Sequence, residues 1–200
     1  MTFSRDFLNE TTELLTAIDD SQIEAVAAKI SAIRDGGGRL FILGVGGSAG
    51  HAGHAVNDFR KICGVEAYAP TDNVSELTAR TNDEGWDTVF SEWLKVSRIN
   101  SMDGLLIFSV GGGDASRNVS PNLVKAIDLA KEQGAAVCGI VGRDGGYTAM
   151  AGDAVVVIPP LFSDRVTPHT EGLCAVVWHL LVSHPSLQAK ATMWESVAKK

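Results

Sequence analysis

Two apolar stretches of this chain each break abruptly into glycine. Leu40-Phe41-Ile42-Leu43 runs into Gly44-Val45-Gly46-Gly47-Ser48-Ala49-Gly50, and Leu105-Leu106-Ile107-Phe108 runs into Ser109-Val110-Gly111-Gly112-Gly113. A short apolar run without alternation reads as a strand buried on both faces, the kind found in parallel sheets covered by helices. Where such a strand ends in a glycine turn and a helix follows, backbone N–H groups converge and the helix adds the positive end of its dipole. Two such turns in 200 residues predict a small phosphorylated ligand at the carboxyl edge of one parallel sheet.

The rest of the chain keeps this rhythm. Phe3, Phe7, Leu8, Leu14, Leu15 and Ile18 recur with helical spacing, and Ile23, Val26, Ile30 and Ile33 repeat it until Gly36-Gly37-Gly38 stops the helix. Strands are expected at 39–43, more weakly at 65–69, then at 105–109, 136–141 and 154–158. Helices are expected at 48–62, 74–82, 84–99, 120–133 and 168–183. Ser120 and Thr167 are the expected caps of the last two, with Pro121 and Pro168 at their first positions. Residues 142–146 read as a turn, and a looser helical tail is expected after Pro185. The alternation predicts a doubly wound, five-stranded parallel α/β sheet flanked by helices. We read one domain over residues 1–200, with 1–35 a helical hairpin for oligomer packing and 36–200 the α/β core.

Composition narrows the function. A net charge of −7 argues against nucleic acid or an anionic membrane as partner. Cys63, Cys138 and Cys174 are odd in number and widely spaced, as in the reduced packing cysteines of an intracellular protein. With no leader-like start and no long apolar run, the expected location is cytoplasmic.

Gly44-Val45-Gly46-Gly47-Ser48-Ala49 also fits the dinucleotide pattern G-x-G-x-x-A. That reading needs an acidic residue at the end of the second strand, and Glu66 falls too early in it. A tight turn serving only helix packing is the plainer alternative. His51, His54 and Asp58 follow on one face of the next helix, and His54 with Asp58, one turn apart, suits a metal site or an acid–base pair. On the last helix Glu171 and His179 stand two turns apart among Leu173, Val176, Val177, Leu180 and Leu181. Burying them there is costly unless they pair or bind something.

The Leu43–Ser48 loop, the His54 helix, Ser109 with its glycines, and Asp164-Arg165 with the His179 helix together resemble the SIS (sugar isomerase) domain, and within it the phosphoheptose isomerases. The resemblance covers nearly the whole chain. It implies a homotetramer with active sites between subunits, a phosphorylated sugar as substrate, and zinc as cofactor. Residue by residue it implies a phosphate site of Gly46, Gly47, Ser48, Ser109, Gly111 and Gly112. It implies metal ligands His54, Asp58, Glu171 and His179, with Asp58 and His179 also catalytic. Asp58 stands where the family usually has Glu, and Glu171 where it usually has Gln. The second loop has lost hydroxyls, and Arg117 in the inserted Asp114–Asn118 stretch is the expected replacement donor. His169 is an added imidazole that could face the same cleft. The function implied is an aldose–ketose isomerase of sedoheptulose 7-phosphate acting through an enediolate. The alternative is a non-catalytic SIS module that binds a sugar phosphate or a protein.

Overall fold

The structure, a computed structural model, describes residues 2–190. Two helices, α1 (Phe3–Ala17) and α2 (Asp20–Asp35), precede the first strand, β1 (Arg39–Gly44). Then follow α3 (Gly47–Lys61), β2 (Glu66–Tyr68), α4 (Val74–Asp83), α5 (Val89–Val96), β3 (Gly104–Ser109), α6 (Pro121–Glu132), β4 (Ala136–Val141), α7 (Gly146–Ala151), β5 (Ala154–Val157) and α8 (Val166–Ser183). The five strands form one sheet in the order β2-β1-β3-β4-β5, every pair parallel.

That order creates the switch point on which the site depends. From β1 the chain crosses by α3 to β2 on one side, while β3 takes the other side. A crevice therefore opens at the carboxyl ends of β1 and β3, where doubly wound sheets bind ligands. Gly44 pairs in register with Phe108, so both glycine loops leave the sheet at the same level.

Successive strand residues feed opposite layers. Leu40, Ile42, Leu106, Phe108, Cys138 and Ile140 pack with α2, α3 and α8. Phe41, Leu43, Leu105, Ile107 and Val137 pack with α5 and α6. The register of β1 against β3 is fixed at its start by Asp103, 2% exposed, which accepts from the Arg39 backbone N–H at 2.9 Å and from its Nη2 at 2.7 Å. All three cysteines are buried and free, and burial pushes the Cys63 thiol up to about 11 and Cys138 to about 12. They are packing groups, as the sequence suggests.

Several expected boundaries move for local reasons. The helix expected at 84–99 shortens to α5 because Gly85 (φ 92) and Arg98 (φ 53) hold left-handed conformations at its flanks. Ser120 is itself left-handed (φ 48) and makes no side-chain cap to α6. Thr167 is not a cap either: α8 begins at Val166, fed by a 3₁₀ turn over Ser163–Arg165. Pro168 thus falls third in the helix, where no N–H acceptor exists and proline costs no hydrogen bond. The expected turn at 142–146 runs on into α7, which the sequence did not signal. After Pro185 there is only a turn before residue 190, and the rest of the expected helical tail lies outside the described residues. No helix among the described residues is long and apolar enough to cross a membrane.

Candidate functional site

Helices α3 and α8 leave the carboxyl edge side by side and run in the same direction. Near their starts Gly47 meets Glu171: a methyl at Gly47 would sit 2.7 Å from Glu171 Oε1, so a larger residue there would push the Glu171 carboxylate aside. Further along, the His54 and His179 rings lie 5.4 Å apart. The pairing of these two helices is what makes residues 125 positions apart into one site.

His54, Asp58 and His179 converge, and each offers a ligand atom within 4.8 Å of the others. Asp58 Oδ2 lies 3.6 Å from His54 Nε2 and 4.0 Å from His179 Nε2. These separations exceed a hydrogen bond. A tetrahedral zinc with bonds of about 2.0–2.2 Å sets its ligand atoms roughly 3.3–3.6 Å apart, which the Asp58–His54 pair meets and the Asp58–His179 pair, at 4.0 Å, would meet after a small inward shift. Each member is held for the task. His179 Nδ1 lies 2.7 Å from the Ala175 carbonyl, which makes it the protonated nitrogen and leaves Nε2 a free lone pair toward Asp58. Asp58, 7% exposed, accepts from Asn57 Nδ2 at 2.8 Å on Oδ1, leaving Oδ2 to face the imidazoles. Beneath them Trp178, fully buried, stacks on His179 at 3.5 Å and meets His54 edge-on at 4.7 Å. Two imidazoles and a carboxylate with an open fourth position are a donor set suited to catalytic zinc. The shorter Asp58 reaches the imidazoles without the methylene that a Glu would add.

Glu171 does not join these three. Its carboxylate lies against Gly47, two turns before His179, in the wall of the cavity described next. Nor are Glu171 and His179 buried among the aliphatics of α8: Leu173, Val177 and Leu181 face the core while these two stand on the outward side. His51 also remains outside the cluster. His169 faces away from the cleft. It is 3% exposed, stacks on Phe7 at 4.3 Å, and places Nε2 2.9 Å from Glu10 Oε2. Arg165 Nε donates to the same carboxylate at 2.7 Å. This knot pins α1 to α8 and holds Glu10 down to about 2 from the ordinary 4.5, chiefly through the Arg165 hydrogen bond. Because the folded value is the lower one, Glu10 contributes stability above the ordinary carboxyl range and loses it as pH falls toward 2. Glu10→Gln is expected to lower Tm at pH 7. Its gap to the wild type should close in an acid titration from about pH 4.5 to 2.

A cavity of about 810 Å³ opens at the carboxyl edge, walled by Val45 and Ser48 of the first loop, Ser109, Gly111 and Gly113 of the second, and Glu171. Gly46 (φ 63) and Gly47 make the turn between Val45 and Ser48, and the first N–H groups of α3 have no helical acceptor. Gly112 is a packing residue and does not wall the cavity. Its N–H donates to Ser109 Oγ at 3.0 Å and its carbonyl accepts from Thr148 Oγ1 at 2.7 Å. Arg117 lines the cavity but is already engaged. Its Nε donates to Asp114 Oδ2 at 2.6 Å, and the Ser116 hydroxyl, followed by Arg117, holds the Asp114 carboxyl well below the usual range. Arg143, two residues past the end of β4, also lines the cavity. It occupies the second position of a turn closed by the Gly145 N–H to the Gly142 carbonyl, with φ 55. A side chain in that region costs about 1–2 kcal/mol.

A family model described as SIS domain matches residues 6–142. The chain belongs to the SIS domain family. The lincomycin biosynthesis protein LmbN of Streptomyces lincolnensis is 34% identical over 191 residues, 90% of this chain and 68% of that protein. The phosphoheptose isomerase of Trichlorobacter lovleyi is 33% identical over 150 residues, 72% of this chain and 71% of that enzyme. The solved phosphoheptose isomerase of Neisseria gonorrhoeae shares the fold with a TM-score of 0.78 at 24% identity, covering 90% of this chain and 96% of that one. Within the SIS family the chain is thus phosphoheptose isomerase-like. Asn57, Trp178 and Arg143 are site residues that the sequence reading passed over. For Asn57 and Trp178 the signal was adjacency to Asp58 and His179. For Arg143 it was a cation one glycine past an apolar strand at the ligand-binding edge.

Proposed function

We propose that this SIS protein is a phosphosugar aldose–ketose isomerase, acting on sedoheptulose 7-phosphate or a ketose phosphate of similar length. One observation carries the reading: the cavity and the imidazole cluster sit on the same two parallel helices, a sugar's length apart. Ser48 to His54 is six residues, about 9 Å of helix, and Glu171 to His179 is eight, about 12 Å. An extended seven-carbon sugar phosphate spans roughly 10 Å from phosphorus to C1, from ordinary bond lengths. With its phosphate in the cavity, its carbonyl end would extend along the helices toward His54, Asp58 and His179, which stand beyond the cavity wall.

At that end the chemistry needs a base for the proton on C1, a path for it to C2, and stabilisation of the enediolate oxygen. His179, with Nδ1 tied to Ala175, has one lone pair to give, on Nε2: free of metal it takes the C1 proton and returns it at C2, and with a metal bound it is spent as a ligand, so the two roles alternate and never coincide. Asp58 Oδ2, between the two imidazoles, stabilises the positive charge His179 gains and is the second group able to carry a proton. His54, Asp58 and His179 would hold a zinc ion, which when bound supplies positive charge at the substrate's carbonyl oxygen. Ser48, the first N–H groups of α3, and Ser109 with Gly111 would hold the phosphate. His54 is 57% exposed at its side chain and His179 44%, and Val176 and Leu180 lie open on the same helix. This exposure supports a further subunit covering the sugar, as in a homotetramer.

The test is the protein with sedoheptulose 7-phosphate in deuterated buffer, followed by NMR. The expected result is an aldose phosphate carrying solvent deuterium at C2. Saturable binding with neither product nor exchange would overturn the isomerase reading in favour of a non-catalytic phosphosugar module.

A further inference from the structure

We propose that Arg143 is the side chain that clamps the ligand's phosphate, in place of the Arg117 expected from the sequence. This rests on the phosphosugar reading above and adds a specific binding residue to it. Of the charged groups on the cavity wall, Asp114, Asp144 and Glu171 are acidic and Arg117 and Arg143 basic. A phosphate dianion entering a wall with more carboxylates than cations needs a cation that is not already matched. Arg117 is matched, since both its Nε and its backbone N–H are given to Asp114 at 2.6 and 2.9 Å. Arg143 forms no hydrogen bond or ion pair among the described residues. Its stem lies over the second loop: a methyl group at Gly111 would be 3.7 Å from its Cδ and 3.9 Å from its Nε.

The backbone points the same way. Arg143 is held at φ 55 in a turn position that glycine or asparagine fills more readily. Strain at an arginine whose guanidinium meets no partner among the described residues is the pattern of a residue kept for a ligand. The second loop has one hydroxyl, on Ser109, and that oxygen already accepts the Gly112 N–H. A planar five-donor fork beside Gly111 makes good the missing hydroxyl donors, and it matches a phosphate's paired oxygens.

The experiment compares wild type, Arg143→Asn, Arg143→Lys and Arg117→Gln. The readouts are Kd for inorganic phosphate, KM and kcat for sedoheptulose 7-phosphate, and Tm without ligand. Arg143→Asn is expected to weaken phosphate binding and raise KM about 10–100-fold, the range for losing hydrogen bonds to a charged group. Its ligand-free Tm should stay level or rise, since asparagine tolerates the left-handed region. Arg143→Lys should recover part of the affinity. An Arg143→Asn protein that binds phosphate as tightly as wild type overturns the assignment, as does a larger loss in Arg117→Gln. A fall in Tm with unchanged affinity would reduce Arg143 to a structural role. Should wild type bind neither phosphate nor the sugar phosphate, the reading of the cavity itself fails, and the clamp with it.

Discussion

Replacing His179 by alanine is expected to lower kcat/KM for a ketose phosphate by about 10³-fold, the middle of the range for a positioned acid–base group. The reason lies in how singly committed the residue is. One nitrogen is tied to Ala175 at 2.7 Å, its face is stacked on Trp178, and the only atom left for chemistry points at Asp58. Only His54 shares the cluster with it, because His51 is outside, His169 is bound to Glu10 and His184 to Glu24. Asp58→Asn should be nearly as severe. It keeps the shape while removing the charge that both imidazoles face, so the two single variants and the double variant should fall to similar residual rates. Folding should be unaffected in His179→Ala, whose side chain is 44% exposed, and circular dichroism with Tm checks this. Steady-state kinetics showing additive losses for the pair would argue that the two residues act separately.

Gly112→Ala should cost at least 3 kcal/mol, roughly 6–12 °C in Tm for a chain of this size. Two penalties combine. Alanine at φ 69 is left-handed, and its methyl would lie 1.9 Å from the Gly145 carbonyl oxygen. That oxygen belongs to the turn carrying Arg143, and neither backbone can retreat without breaking the Thr148 Oγ1 bond to the Gly112 carbonyl. Gly37 supplies the control. It has φ 74 but nothing within 4 Å, so Gly37→Ala should cost only the left-handed term of about 1–2 kcal/mol. Thermal melts of the two variants separate conformational cost from collision. Equal losses would mean that the second loop is not wedged against the turn after β4. Because that wedge shapes the cavity, Gly112→Ala should also weaken phosphosugar binding, whereas Gly37→Ala should not.

The sheet was legible because buried parallel strands are written as unbroken apolar runs, and both glycine loops followed from where those runs stopped. His54 and Asp58 were legible because helical spacing alone places them together. Their meeting with His179 depended on α3 and α8 packing side by side, which one chain's periodicity does not encode; the family resemblance supplied it. Glu171 was misplaced for the same kind of reason. The family resemblance made it a metal ligand, but two turns of helix separate it from His179 and set its carboxylate against Gly47 in the cavity wall. Arg117 looked free in sequence because its partner, Asp114, is three residues away in a loop whose turn could not be foreseen. Arg143 looked like turn punctuation because its neighbours Asp144, Gly145 and Gly146 are turn residues. His169 was read toward the cleft because nothing in its own segment announced Glu10 and Phe7 on α1.

The convergence of His54, Asp58 and His179 is tested most directly by metal analysis of the purified protein and of its His54→Ala, Asp58→Asn and His179→Ala variants. The expected result is about one divalent ion, zinc by the donor set, per wild-type chain and a large loss in each variant. Wild-type protein that is free of metal yet fully active, or variants that keep a full complement, would contradict a metal centre on these three residues.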